Sequence, residues 1–163
     1  MGTPESEIQI FLNHLGGFAT DFLPLIVLTG LLLLYSVYFG RDRFAPLIAG
    51  LYAALVLYTA FPYTLAVLAG PLAKVLFFGA LTVLTTFAFS GLSHFMARAG
   101  SSLLSSIILS IAVAGFLTAI SLHTLPVTEV YHFNAATKAL FATNQAFFWW
   151  LAAPLVAVFF FGS

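Results

Sequence analysis

Five long apolar runs divide this chain, and each break between them is marked by charge, glycine or proline. The first run extends from Phe22 to Phe39. At about 1.5 Å rise per residue it is about 27 Å long, enough with its flanks to cross a hydrocarbon core of roughly 30 Å. Pro24 falls in its first turn, where a missing N–H does no harm. Gly40-Arg41-Asp42-Arg43 then makes a tight polar turn into a second run, from Phe44 to Pro62. So short a link makes the two helices antiparallel neighbours. The third run is set from Leu72 to Leu92, the fourth from Ser102 to Leu122, and the fifth, with Pro154 inside it, from Gln145 to Phe161. The expected fold is therefore all-α: a polytopic transmembrane helical bundle of five spans in one membrane domain. Four spans plus a re-entrant segment is the alternative. The stretch from Tyr63 to Lys74 is apolar but too short to span, and is either re-entrant or the kinked start of the third span. A break at Gly70-Pro71 is the preferred reading.

Residues 1–20 carry a different pattern. Thr3, Pro4, Glu5 and Glu7 look like a capped helix start. Ile8, Phe11, Leu12, Leu15 and Phe18 follow at helical spacing, opposite Gln9 and Asn13, and Gly16-Gly17 ends the pattern. This predicts an amphipathic helix lying in the membrane interface or on the protein's own surface. The other polar stretch, 123–144, is read as extramembrane. Asn134 stands where it would cap a short helix through Ala142. Phe147-Phe148-Trp149-Trp150 then suits headgroup level.

Charge sharpens the membrane reading. Only 6% of residues are charged, against about 25% in a soluble domain. Arg41, Asp42, Arg43, Lys74, Arg98, Glu129 and Lys138 all stand at breaks, while Glu5, Glu7 and Asp21 precede the first run. A charge at the bilayer centre costs about 2.5–3.5 kcal/mol even on lenient scales, which accounts for that distribution. The formal net charge is zero, so there is no basic face for nucleic acid. Without cysteine, thiol chemistry and Cys-ligated zinc are excluded. Met1 to Glu7 has two acids and no Lys or Arg, unlike the start of a secretory signal. Five spans with the N-terminus outside place Arg41, Arg43 and Arg98 in cytoplasmic turns, with Lys74 and Lys138 opposite.

Small and hydroxyl residues form stripes along three of the runs. Ser102, Ser106, Ser110 and Ala114 recur every four residues, as do Ala45, Ala49 and Ala53. Such stripes let helix backbones approach closely, so these residues are expected at helix-packing interfaces. Thr82, Thr86, Ser90 and His94 form the third stripe, with a polar pathway as its second reading. Ser93 and His94 do not make a nucleophile and base, because helix neighbours diverge by about 100°. His123, Glu129 and His132 are the only candidates for a metal, and Pro126 breaks the segment that holds them. No metal or other cofactor is expected. Lys74 is read as a lysine snorkelling to the interface.

The first hairpin, through Gly40-Arg41-Asp42-Arg43 and Leu47-Ile48-Ala49-Gly50, resembles the colicin V production protein family of small bacterial inner-membrane proteins. The likeness extends from Leu23 to Leu122. The amphipathic start, the fifth run and the Phe147-Phe148-Trp149-Trp150 block depart from it. The resemblance implies a bacterial inner-membrane protein acting in secretion or envelope function, and it supplies no catalytic residues. The expected role is that of a non-enzymatic subunit or scaffold of a membrane assembly. Its expected partners are the bilayer and copies of itself or other membrane proteins. A small channel or carrier for a neutral or weakly polar solute is the alternative.

Overall fold

The computed structural model describes residues 22–63, 68–91, 103–129, 131 and 133–161. The interfacial helix expected over residues 1–20, and Asp21, His94, Arg98, Ser102 and His132, lie outside the described residues. Among the described residues six α-helices follow one another: α1 Leu23–Phe39, α2 Phe44–Ala60, α3 Pro71–Ser90, α4 Leu103–His123, α5 Ala135–Phe141 and α6 Asn144–Phe161. There is no strand among the described residues.

The punctuation follows local chemistry. Gly40, at φ 82°, closes α1 in the left-handed region that favours glycine. A single 3₁₀ turn, Arg41–Arg43, leads straight into α2. Phe61 leaves α2 in extended backbone because Pro62 follows it and disfavours the helical region for the residue before. Gly70 precedes α3 in extended backbone and Pro71 takes its first position, which is where the expected break lies. Thr143 caps α6, its hydroxyl accepting the Ala146 N–H at 3.1 Å. Asn134 holds the N-cap position of α5 without a capping side-chain bond.

α3 and α4 are each long and apolar enough to cross a membrane. α5 and α6 make a third crossing if counted together as one span, bent by 70° at their break. α1 and α2, at 17 residues each, are apolar but shorter. The expected extramembrane segment 123–144 thus contains a helix that, joined to α6, qualifies as part of a broken span.

α4 is the centre of the packing. Its residues from Ala112 to Phe116 and from Thr118 to Ile120 are all buried. α1 and α6 pack on α4, and α2 packs on α3. Tyr52 of α2 ties the two groups together, stacking on Phe116 with ring centroids 4.7 Å apart and donating its hydroxyl to the Leu151 carbonyl. The outside is greasy: Val37, Phe87 and Phe159 are each more than three-quarters exposed. The interior mixes large apolar side chains such as Phe44, Phe116 and Phe141 with buried serines and threonines, and under so apolar an exterior this arrangement suits lipid rather than water.

Ser106, Ser110 and Ala114 are buried on α4, and Ser36 of α1 donates a hydrogen bond to Ser106 Oγ at 3.2 Å. Ser106→Leu is expected to push α1 off α4 and to destabilise the fold by about 1–3 kcal/mol. The check is thermal unfolding in detergent and in bilayers, and an unchanged transition in both would mean that the serine stripe carries no contact.

The other stripe sits differently. Ala45, Ala49 and Ala53 are only half-buried, and the closest approach of α2 to α3 lies one residue over, at Gly50. A Cβ at Gly50 would stand 2.8 Å from both N and Cα of Thr86, so only glycine lets the backbones meet there. Ala54, on the same line, is fully buried.

Candidate functional site

α1 leans on α4 and α3 leans on α2, so α1 and α3 stand apart across the start of α2. Between them lies a cleft of about 450 Å³. Tyr35 and Phe39 of α1, Arg43 and Leu47 around the start of α2, and Thr82, Val83, Thr86, Phe87 and Ser90 of α3 form its walls. The α1 wall is stiffened by aromatic contacts. Tyr35 stacks on Phe39 with centroids 5.0 Å apart and meets Phe44 edge-on at 6.1 Å. Arg43 is exposed at the polar turn.

Three residues of the expected polar pathway, Thr82, Thr86 and Ser90, are thus brought together on one wall, while His94 lies outside the described residues. Their hydroxyls are turned largely inward. Thr82 donates to the Phe78 carbonyl at 2.9 Å and Ser90 to Phe87 at 2.7 Å. Thr86 Oγ1 is buried against Gly50 and has no hydrogen-bond partner among the described residues. Thr85, beside the cleft, has the Leu81 and Gly50 carbonyls within 2.7 and 2.8 Å of its hydroxyl, so one proton serves the helix and the helix contact together. A serine or threonine that donates to its own helix can still accept a hydrogen bond but has no proton left to give. Among the described residues, Arg43 is the one ionised side chain on the walls. Among the described residues the walls bring a single cation and no acid–base pair to the cleft.

Two further cavities are less polar. One of about 600 Å³ lies between α4 and α6, lined by Ile108, Ile111, Trp149, Trp150 and small or aliphatic residues. The other, of about 320 Å³, lies between the start of α1 and the end of α4. Of its hydroxyls, those of Thr118 and Ser121 donate to the Ala114 and Leu117 carbonyls of their own helix, each at 2.8 Å, and Tyr131 carries the third.

The remaining polar residues are scattered. The His123 ring lies 4.4 Å from that of Phe147, with Nε2 buried and no partner among the described residues. Glu129 is exposed in the 3₁₀ turn Pro126–Glu129. No group of three metal-ligating side chains occurs among the described residues, and His132 is not one of them. Lys74 lies over the Tyr63 ring, 5.7 Å from its centroid, and the Tyr63 hydroxyl donates to the Tyr58 carbonyl at 2.7 Å. This cation–π contact fixes the lysine beside the connection between α2 and α3.

Sequence reasoning missed Arg43 as a wall of the cleft, because it read as one charge of a polar turn. Its only signal is local, an arginine four residues after Phe39 and eight after Tyr35, across a hairpin that folds all three together. Comparison with protein-family models, with curated proteins and with solved structures finds no match to this chain.

Proposed function

We propose that this chain is a non-enzymatic integral membrane protein of five spans that serves as a subunit or scaffold in a membrane assembly. On this reading α1 and α2 cross as well as α3 and α4, and α5 with α6 makes the fifth crossing. A rise of about 26 Å for 17 residues, plus the polar turns at each end, fits α1 and α2 to a thinned or slightly compressed core. The N-terminus lies outside and Arg41 and Arg43 are cytoplasmic. The resemblance of the first hairpin to the colicin V production family favours a bacterial inner membrane.

The observation that carries the scaffold reading is the state of α3. It is a full-length apolar helix, yet only 11% of its membrane window is buried within the chain. α2 covers one face and the turn Pro126–Glu129 touches another part, and most of the remaining surface is left to lipid or to a neighbouring protein. Channel or carrier function, the second reading, needs hydroxyls that face a passing solute. The inward bonds of Thr82 and Ser90 weigh against it.

Mass measurement in mild detergent and in nanodiscs tests the proposal. A species heavier than the 17.5 kDa chain, either an oligomer or a stoichiometric complex with another membrane protein, is expected. A monomer under both conditions, accompanied by solute flux through reconstituted vesicles, would replace it with the carrier reading.

A further inference from the structure

We infer that the cleft between α1 and α3 is a binding site for one anionic phospholipid, its phosphate held by Arg43 and an acyl chain laid between Phe39, Leu47, Val83 and Phe87. Arg43 ends a polar turn between two apolar runs, which sets its guanidinium at headgroup depth. From Ser90, near that end, to Thr82 the cleft follows α3 for eight residues, or about 12 Å, parallel to the helix. A lipid tail runs in the same direction. Of the three cavities described, this is the one with a cation on its wall, so charge as well as shape selects its occupant. The guanidinium fork matches phosphate oxygens two at a time, while Thr82 and Ser90 have committed their protons to their own helix. Filling the slot contributes dispersion contacts rather than a hydrophobic force, since tails are already apolar. The arginine therefore supplies most of the discrimination between lipids. The inference rests on the membrane reading and is independent of the scaffold role.

Native mass spectrometry of the full chain released from detergent is the test, with phosphatidylglycerol, phosphatidylcholine or inorganic phosphate added. One phosphatidylglycerol is expected to be retained in preference to phosphatidylcholine, and Arg43→Gln is expected to weaken retention about tenfold. Arg43→Lys should recover only part, because it restores charge without the fork. Val83→Trp, at an exposed position, should expel the lipid by filling the slot while leaving the charge in place. Equal retention of both lipids, or retention unchanged by Arg43→Gln, would overturn the site. Displacement of the lipid by inorganic phosphate would assign the arginine to a soluble anion instead. The oligomeric mass of the Arg43→Gln protein, read in the same spectra, keeps failure of this site distinct from failure of the scaffold reading.

Discussion

Gly50→Ala is expected to lower the unfolding transition far more than an alanine at any other helical glycine that opens on empty space. The new Cβ would stand 2.8 Å from the backbone N and Cα of Thr86, and neither atom can rotate away. α3 must move as a body, and the Thr85 bond to the Gly50 carbonyl, 2.8 Å long, opens with it. Overpacking of this kind costs about 1–3 kcal/mol. In a chain of this size that corresponds to a fall of about 2–4 °C per kcal/mol. Gly79→Ala is the control, because its Cβ meets nothing within 4 Å. It should be neutral or slightly stabilising, since alanine favours the helix over glycine. Removing the Thr86 side chain alongside Gly50→Ala should restore only part of the loss, because the backbone contact remains. Full recovery would mean that the two helices are held apart by side chains and that Gly50 is not their closest approach.

Gly115→Ala carries the second large effect, at the joint between α4 and α6. The Trp150 ring lies directly on Gly115, and an added Cβ would stand 2.8 Å from Cη2 and closer still to Cζ3 and Cε3. The ring is also stacked on the fully buried Phe141, with centroids 4.7 Å apart, so moving it disturbs that contact too. Gly115, Trp150 and Phe141 therefore set the fold of the bent α5–α6 pair onto the central helix. Displacing the indole is overpacking of the same kind and should cost about 1–3 kcal/mol. The chain has two tryptophans, and Trp149 is exposed, so a Trp149→Phe background isolates the packed ring. Its emission should shift on Gly115→Ala, together with the melting temperature. Unchanged emission would place the indole elsewhere than on α4.

These two glycines show what the sequence could and could not reveal. Helix limits were readable at Gly40, Pro62 and Gly70-Pro71, because glycine and proline act on their own backbone without help from the rest of the fold. The burial of Ser106 and Ser110 fits the rule that small polar residues gain more against a helix than against lipid. The choice among Ala49, Gly50, Ala53 and Ala54 was not readable. Adjacent small residues point about 100° apart, and only the position of α3 decides which one is needed. Gly115 and Trp150 form a pair separated by a whole helix connection, and nothing in a run of apolar residues marks them as partners. The cleft was half readable: its threonine wall follows a four-residue repeat, whereas Tyr35, Phe39 and Arg43 join it only through the hairpin and the lean of α1 onto α4.

Absence of cysteine makes the membrane topology directly measurable, since every introduced thiol is the only one in the chain. Single cysteines at Asp42, Gly91 and Phe160, and at Tyr63 and Thr128, mark successive ends of the helices. Five crossings require a membrane-impermeant maleimide to label Asp42, Gly91 and Phe160 from one side of sealed vesicles and Tyr63 and Thr128 from the other. Labelling of Asp42 and Tyr63 from the same side would mean that α2 enters and returns without crossing, and would contradict the five-span fold.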